Sequence, residues 1–142
     1  MNKIVSATGE GKLPLVSTDD VAAVGFHALT SQDFPMRDLV ILGPELLSYD
    51  DVANIISKVV GRTITHVHLS PEQLHNQMIM DGFPRAWAMI ASEMQESTSK
   101  GSEENLNDVI LQVTGKHLKK FVDFVEVKFV WENEVLKQQC LV

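Results

Sequence analysis

His66-Val67-His68 sets two imidazoles two residues apart, and in an extended segment that spacing turns both toward one face, as a metal chelate requires. A site needs at least a third ligand. No further donor stands at a sequence spacing that would supply it, so no metal is expected. Tyr49 is the sole tyrosine. A phenol that moves a proton near neutral pH needs a neighbouring cation, commonly a lysine four residues on, and that position is Ala53. Tyr49 therefore reads as the first residue of a helix, packing on a neighbour. Gly9-Glu10-Gly11-Lys12 contains the Gly-Lys pair of phosphate loops, but Ser6 stands where the first glycine belongs and Leu13 where Ser or Thr belongs. Pro14 occupies the third glycine position of a dinucleotide fingerprint, so the segment reads as a turn. There is no GxSxG elbow, His27, His75 and His117 stand alone, and the lone Cys140 near the end reads as a free thiol on a loose tail. Phe83, Trp87, Met89 and Met94 are the residues suited to line an apolar pocket for a ring system, although their spacing also suits an ordinary core. No catalytic or cofactor-binding residue is assigned.

The elements that would position these residues follow from caps and apolar periods. Leu13 to Val16 is a short strand candidate, leading through Ser17 or Thr18 into a helix with Asp19-Asp20 in its first turn and Val21, Val24, Ala28, Ala22 and Leu29 at helical spacing. Asp38 to Gly43, DLVILG, has the continuous apolar run of a strand covered on both faces. A Gly43-Pro44 corner precedes Ser48-x-x-Asp51, a capping pattern for a helix whose face is Val52, Ile55, Ile56 and Val59 and whose stop is Gly61. Thr63 to Leu69 reads as a strand. Ser70-Pro71-Glu72-Gln73 opens a helix closed by Gly82, and Pro84 opens another with Trp87, Ile90, Ala91 and Met94 on one side. Gln95 to Gly101 is polar and is expected to be a mobile loop, with Ser102-Glu103-Glu104 capping a helix that carries Leu106, Val109, Ile110 and Val113 and ends at Gly115. A last helix carries Phe121, Phe124 and Val125.

The 142 residues suffice for one ordinary core, and 44% apolar with 22% charged residues is a globular composition. A net charge of -7 with scattered basic residues excludes a phosphate-tracking stripe, so no nucleic-acid partner is expected. No apolar run approaches the roughly 18 residues of a membrane span, and the cytoplasm is the expected location.

SATGEGKLPLVSTDDVAAVGFHALT, then LVILGPELLSYDDVANIISKVVGRTITHVHLSPEQL, the DGFP corner and SEENLNDVILQVTGK together resemble the NmrA-like group of atypical short-chain dehydrogenases, and within it the fungal clavine dehydrogenases of ergot alkaloid biosynthesis. The resemblance runs from about Ile4 to Trp131. It implies the carboxyl-terminal half of an NAD(P)-binding Rossmann-like α/β fold: residues 1–131 as the half-domain, 62–131 as a small helical substrate lobe, and 132–142 as a tail. It further implies NADPH as cofactor, an alkaloid as small-molecule substrate and an oxidoreductase acting on a C–N bond, with hydride passing to the iminium carbon of a tetracyclic clavine. A dinucleotide-sensing or protein-interaction module is the alternative it leaves. The glycine-rich phosphate loop of the family is not among these residues, and association through an exposed sheet edge, DLVILG or LPLV, is expected.

Overall fold

The structure, a computed structural model, describes residues 2–32, 34 and 38–139, the last nine as helix backbone. In chain order the elements are β1 (Lys3–Ser6), β2 (Leu13–Pro14), α1 (Thr18–Thr30), β3 (Leu46–Leu47), α2 (Tyr49–Val60), β4 (Thr65–His68), α3 (Pro71–Met80), α4 (Arg85–Ser99), α5 (Val109–Thr114) and α6 (Phe121–Gln139). They fall into two compact units, Met1–Leu13 with Leu46–Glu104, and Pro14–Glu45 with Asn105–Val142.

The first unit is built on a parallel pair. β1 lies beside β4 with Lys3 opposite Thr65 and Ser6 opposite His68, extended at its ends by Thr65 N donating to Asn2 O and Leu69 N to Ser6 O. α2 packs on both strands, as a helix must where parallel strands need a covered face. Its start is the expected capping box: Ser48 Oγ accepts from Asp51 N at 3.1 Å, while Asp51 Oδ2 accepts from Ser48 N at 3.0 Å. Those bonds hold the Asp51 carboxyl below its ordinary range, the Ser48 backbone N–H contributing most and its hydroxyl next. Val52 and Ala53 are buried, Ile55, Ile56 and Val59 half-buried, and Gly61 ends the helix in the left-handed conformation. Ser57 Oγ then accepts from Ile64 N at 2.8 Å, turning the chain into β4. Ser70 and Gln73 form the second capping box, and α3 packs against α4.

In the second unit α1 starts at the Ser17 cap and packs on α5, which buries Ile110 and stops at Gly115 as expected. α6 carries Phe121, Phe124 and Val125 and continues as helix past Trp131 to Gln139. Cys140 lies outside the described residues.

Five expectations are corrected. Asp38 to Gly43 is not a strand: Gly43 N donates to Pro14 O at 3.0 Å and Val40 O accepts from Asn107 Nδ2 at 2.9 Å, so one long-range backbone bond and one side-chain bond stand where a ladder would. Only Leu13–Pro14 of LPLV is extended in a strand, β2, which pairs with β3, while β1 and β4 form a separate two-stranded sheet. Gln95 to Ser99 is helical, because Thr98 Oγ1 and Ser99 Oγ donate back to the carbonyls of Met94 and Glu96 and satisfy polar side chains within the helix. Ser102-Glu103-Glu104 caps nothing: α5 begins at Val109, and the Glu104 carboxylate instead accepts from Lys12 N. Finally, α1 buries Val24 but leaves Val21 and Leu29 exposed, and α4 buries Ala88, Ser92 and Thr98 while Trp87, Ile90 and Met94 face solvent. Small side chains on the inner face of α4 let helix and neighbouring backbone approach closely, which displaces the larger stripe outward.

Candidate functional site

The strand period turns His66 and His68 to one face of β4, and the first turn of α2 brings Asp50 to that face. Asp50 Oδ2 is 3.3 Å from His66 Nδ1 and 3.1 Å from His68 Nε2, and the two imidazole centroids are 4.2 Å apart. Ser6 and His68 are the last residues of the parallel strands, so the cluster stands at their carboxyl ends, where open α/β sheets place ligands.

Behind the cluster the polar groups are buried and joined. Ser6 Oγ is 2.7 Å from His66 Nε2 and 2.8 Å from Thr8 Oγ1, and Ala7 N donates to Gln95 Oε1 at 2.7 Å. The His66 imidazole is 0% exposed, whereas Asp50 and His68 keep 44% and 47% exposure. His66 Nδ1 is at ion-pair distance from Asp50, yet the direction is not that of an N–H bond. Among the described residues it is the buried side-chain polar atom left without a hydrogen-bond partner. Asp50 is the third donor that sequence spacing did not supply, since it reaches the histidines only through the packing of α2 on β4. Tyr49 has the packing role expected of it, its ring 5.7 Å from that of His66.

The residues expected to line an apolar pocket lie elsewhere in this unit. Phe83, Trp87, Met89 and Met94 are all exposed. Gly9 to Lys12 is a turn closed by Gly11 N donating to Thr8 O at 2.9 Å.

The second unit holds an apolar cavity of 160 Å³, lined by Leu15, Val16, Ser17, Thr18, Lys119, Lys120, Phe121 and Phe124. Its rim is fixed by charge: Lys119 Nζ donates to Asp19 Oδ2 at 2.7 Å and Lys119 N to Asp20 Oδ2 at 3.1 Å. The Lys119 hydrogen bond, reinforced by its charge, lowers the Asp19 carboxyl below its ordinary 3.8, and the same contacts raise the ammonium of Lys119. A lowered carboxyl stabilises the fold above its ordinary pKa, and that contribution is lost as pH falls through the lowered value. Lys119→Met should therefore return Asp19 toward its ordinary titration, followed by carboxyl NMR, and an unchanged midpoint would show the ion pair absent in solution.

These elements compose part of a Rossmann-like α/β fold. The crystal structure of Citrobacter sp. triphenylmethane reductase complexed with NADP(H) superposes with a TM-score of 0.75 at 23% identity, covering 88% of this chain and 44% of that one. In sequence the chain is similar to fungal proteins named festuclavine synthase and agroclavine dehydrogenase. It is 41% identical over 132 residues to festuclavine synthase II of Penicillium roqueforti, covering 92% of this chain and 46% of the relative. It is also 41% identical over 129 residues to agroclavine dehydrogenase of Claviceps fusiformis, covering 90% and 45%. The chain thus spans less than half the length of the curated relatives it matches. No protein-family model matches it. Among the described residues no helix is long and apolar enough to cross a membrane.

Proposed function

We propose that these residues are the carboxyl-terminal half of an NADPH-dependent reductase of fungal ergot alkaloid biosynthesis, acting on the C–N bond of a tetracyclic clavine iminium and giving festuclavine or agroclavine. The observation that carries this reading is the 41% identity held over nine-tenths of the chain to two fungal relatives named for those products. Residues 62–131 would supply the substrate lobe, with Phe83, Trp87, Met89 and Met94 as its apolar lining once a partner half covers them.

The chemistry suits the residues present. NADPH, where bound, supplies a hydride. An iminium carbon is already cationic, so its reduction would need no acid to polarise a carbonyl oxygen. Ala53, four residues beyond the sole tyrosine, is then no defect. The residues do not fit the dinucleotide itself, because no glycine-rich loop is available to bring backbone N–H groups to a pyrophosphate.

The 142-residue chain alone should therefore leave NADPH fluorescence unchanged, and coexpression with the amino-terminal half of festuclavine synthase II should give both nucleotide binding and iminium reduction. Micromolar binding by the chain alone, or a folded pair that binds NADPH without reducing the iminium, would overturn the proposal.

A further inference from the structure

We propose that Asp50, His66 and His68 bind one divalent transition-metal ion of the zinc class. The three donor atoms lie within 4.8 Å of one another. Ligands held about 2.0–2.1 Å from a tetrahedral zinc ion are about 3.3 Å apart, and the two Asp50 edges, 3.3 and 3.1 Å, have that length. Rotation of the half-exposed His68 ring closes the remaining edge. Two imidazoles and one carboxylate suit zinc, cobalt or iron, whereas magnesium and calcium favour all-oxygen sites.

The proton positions point the same way. With Nε2–H of His66 donating to Ser6 Oγ, the buried Nδ1 presents a bare lone pair, and what faces it 3.3 Å away is the carboxylate of Asp50. Two acceptors face each other there. With the proton on Nδ1 instead, the N–H would be expected to hydrogen-bond Asp50, and the ring is not oriented for it. A cation between the donors resolves both, and Ser6 with Thr8 then fixes the ring and its tautomer as an outer-shell partner does for a metal-bound histidine. The exposure of Asp50 and His68 leaves a coordination position open to water. This inference rests on the first unit alone and stands independently of the reductase reading.

Equilibrium dialysis of the untagged full chain against Zn²⁺, with metal analysis, should give one equivalent bound. Co²⁺ should give visible absorption bands of a tetrahedral or five-coordinate site, and excess Mg²⁺ should not compete. Asp50→Asn and His68→Gln, both at half-exposed positions that leave the buried ring in place, should each weaken Zn²⁺ binding at least tenfold with the helical circular dichroism retained, while His75→Gln should not. Absence of stoichiometric Zn²⁺ uptake by the unaltered chain would overturn the proposal and leave an Asp-His ion pair only. So would uptake undiminished in both Asp50→Asn and His68→Gln.

Discussion

Gly11→Ala should abolish the packing of the first unit, with soluble yield falling sharply and the amides of α4 losing hydrogen-exchange protection. A Cβ at this position would lie on the carbonyl group of Thr98, 2.7 Å from its carbon and 2.9 Å from Ser99 Cα. Those atoms are backbone of the last turn of α4, held by Lys100 N and Gly101 N donating to Ser97 O and Thr98 O, so no flexible side chain can yield. Relief requires moving the Ser6 to Lys12 segment away from α4, which breaks the Ala7 to Gln95 hydrogen bond and uncovers Ala7 and Thr8. Overpacking that displaces backbone costs about 1–3 kcal/mol and occasionally more, a large part of the roughly 5–15 kcal/mol that holds a natural domain folded. Gly25→Ala is the control: nothing lies within 4 Å of its Cβ, and α1 should gain up to about 1 kcal/mol of helix propensity. Protection of α4 unchanged in Gly11→Ala would refute this close approach.

The sequence was most legible where structure is local. Ser48 with Asp51 and Ser70 with Gln73 close their capping boxes across three residues, so both helix starts are visible without knowledge of the fold. Strands depend on a partner far along the chain. Lys3–Ser6 is not read as a strand yet pairs with Thr65–His68, whereas DLVILG looks like a buried strand and finds no ladder. The candidate metal cluster divides in the same way. His-x-His on one strand face is readable from the period of two, but Asp50 joins it through the packing of α2 on β4, and a separation of that kind has no sequence signature. The tail of α4 misled for a different reason, since Ser and Thr favour loops until their hydroxyls bond back into the preceding turn.

The unaccompanied chain should elute as dimers or larger species and melt without one sharp transition, and coexpression with a clavine dehydrogenase amino-terminal half should render it monodisperse. Trp87, Ile90 and Met94 recur at helical spacing on α4, the pattern of a stripe selected for burial, yet Trp87 is 67% and Met94 66% exposed. On α1, Phe26 and Leu29 are three residues apart and 64% and 89% exposed. β1 and β4 form a two-stranded parallel pair, an arrangement seldom left uncovered, because each unpaired edge offers N–H and C=O groups to another chain. Fully burying a large apolar side chain is worth about 1.5–3 kcal/mol, so covering the α4 stripe alone would contribute roughly 3–6 kcal/mol after allowing for the part already shielded. That is comparable with the whole stability of a small domain, and it drives association whichever surface supplies the cover. Trp87→Glu with Met94→Lys should shift the unaccompanied chain toward monomer and weaken capture by the amino-terminal half, because one stripe serves both contacts. Analytical ultracentrifugation with thermal melting reads the result. A monodisperse monomer with a single sharp transition, unaffected by the paired charges, would show that these faces need no cover and that the chain stands as a complete folding unit.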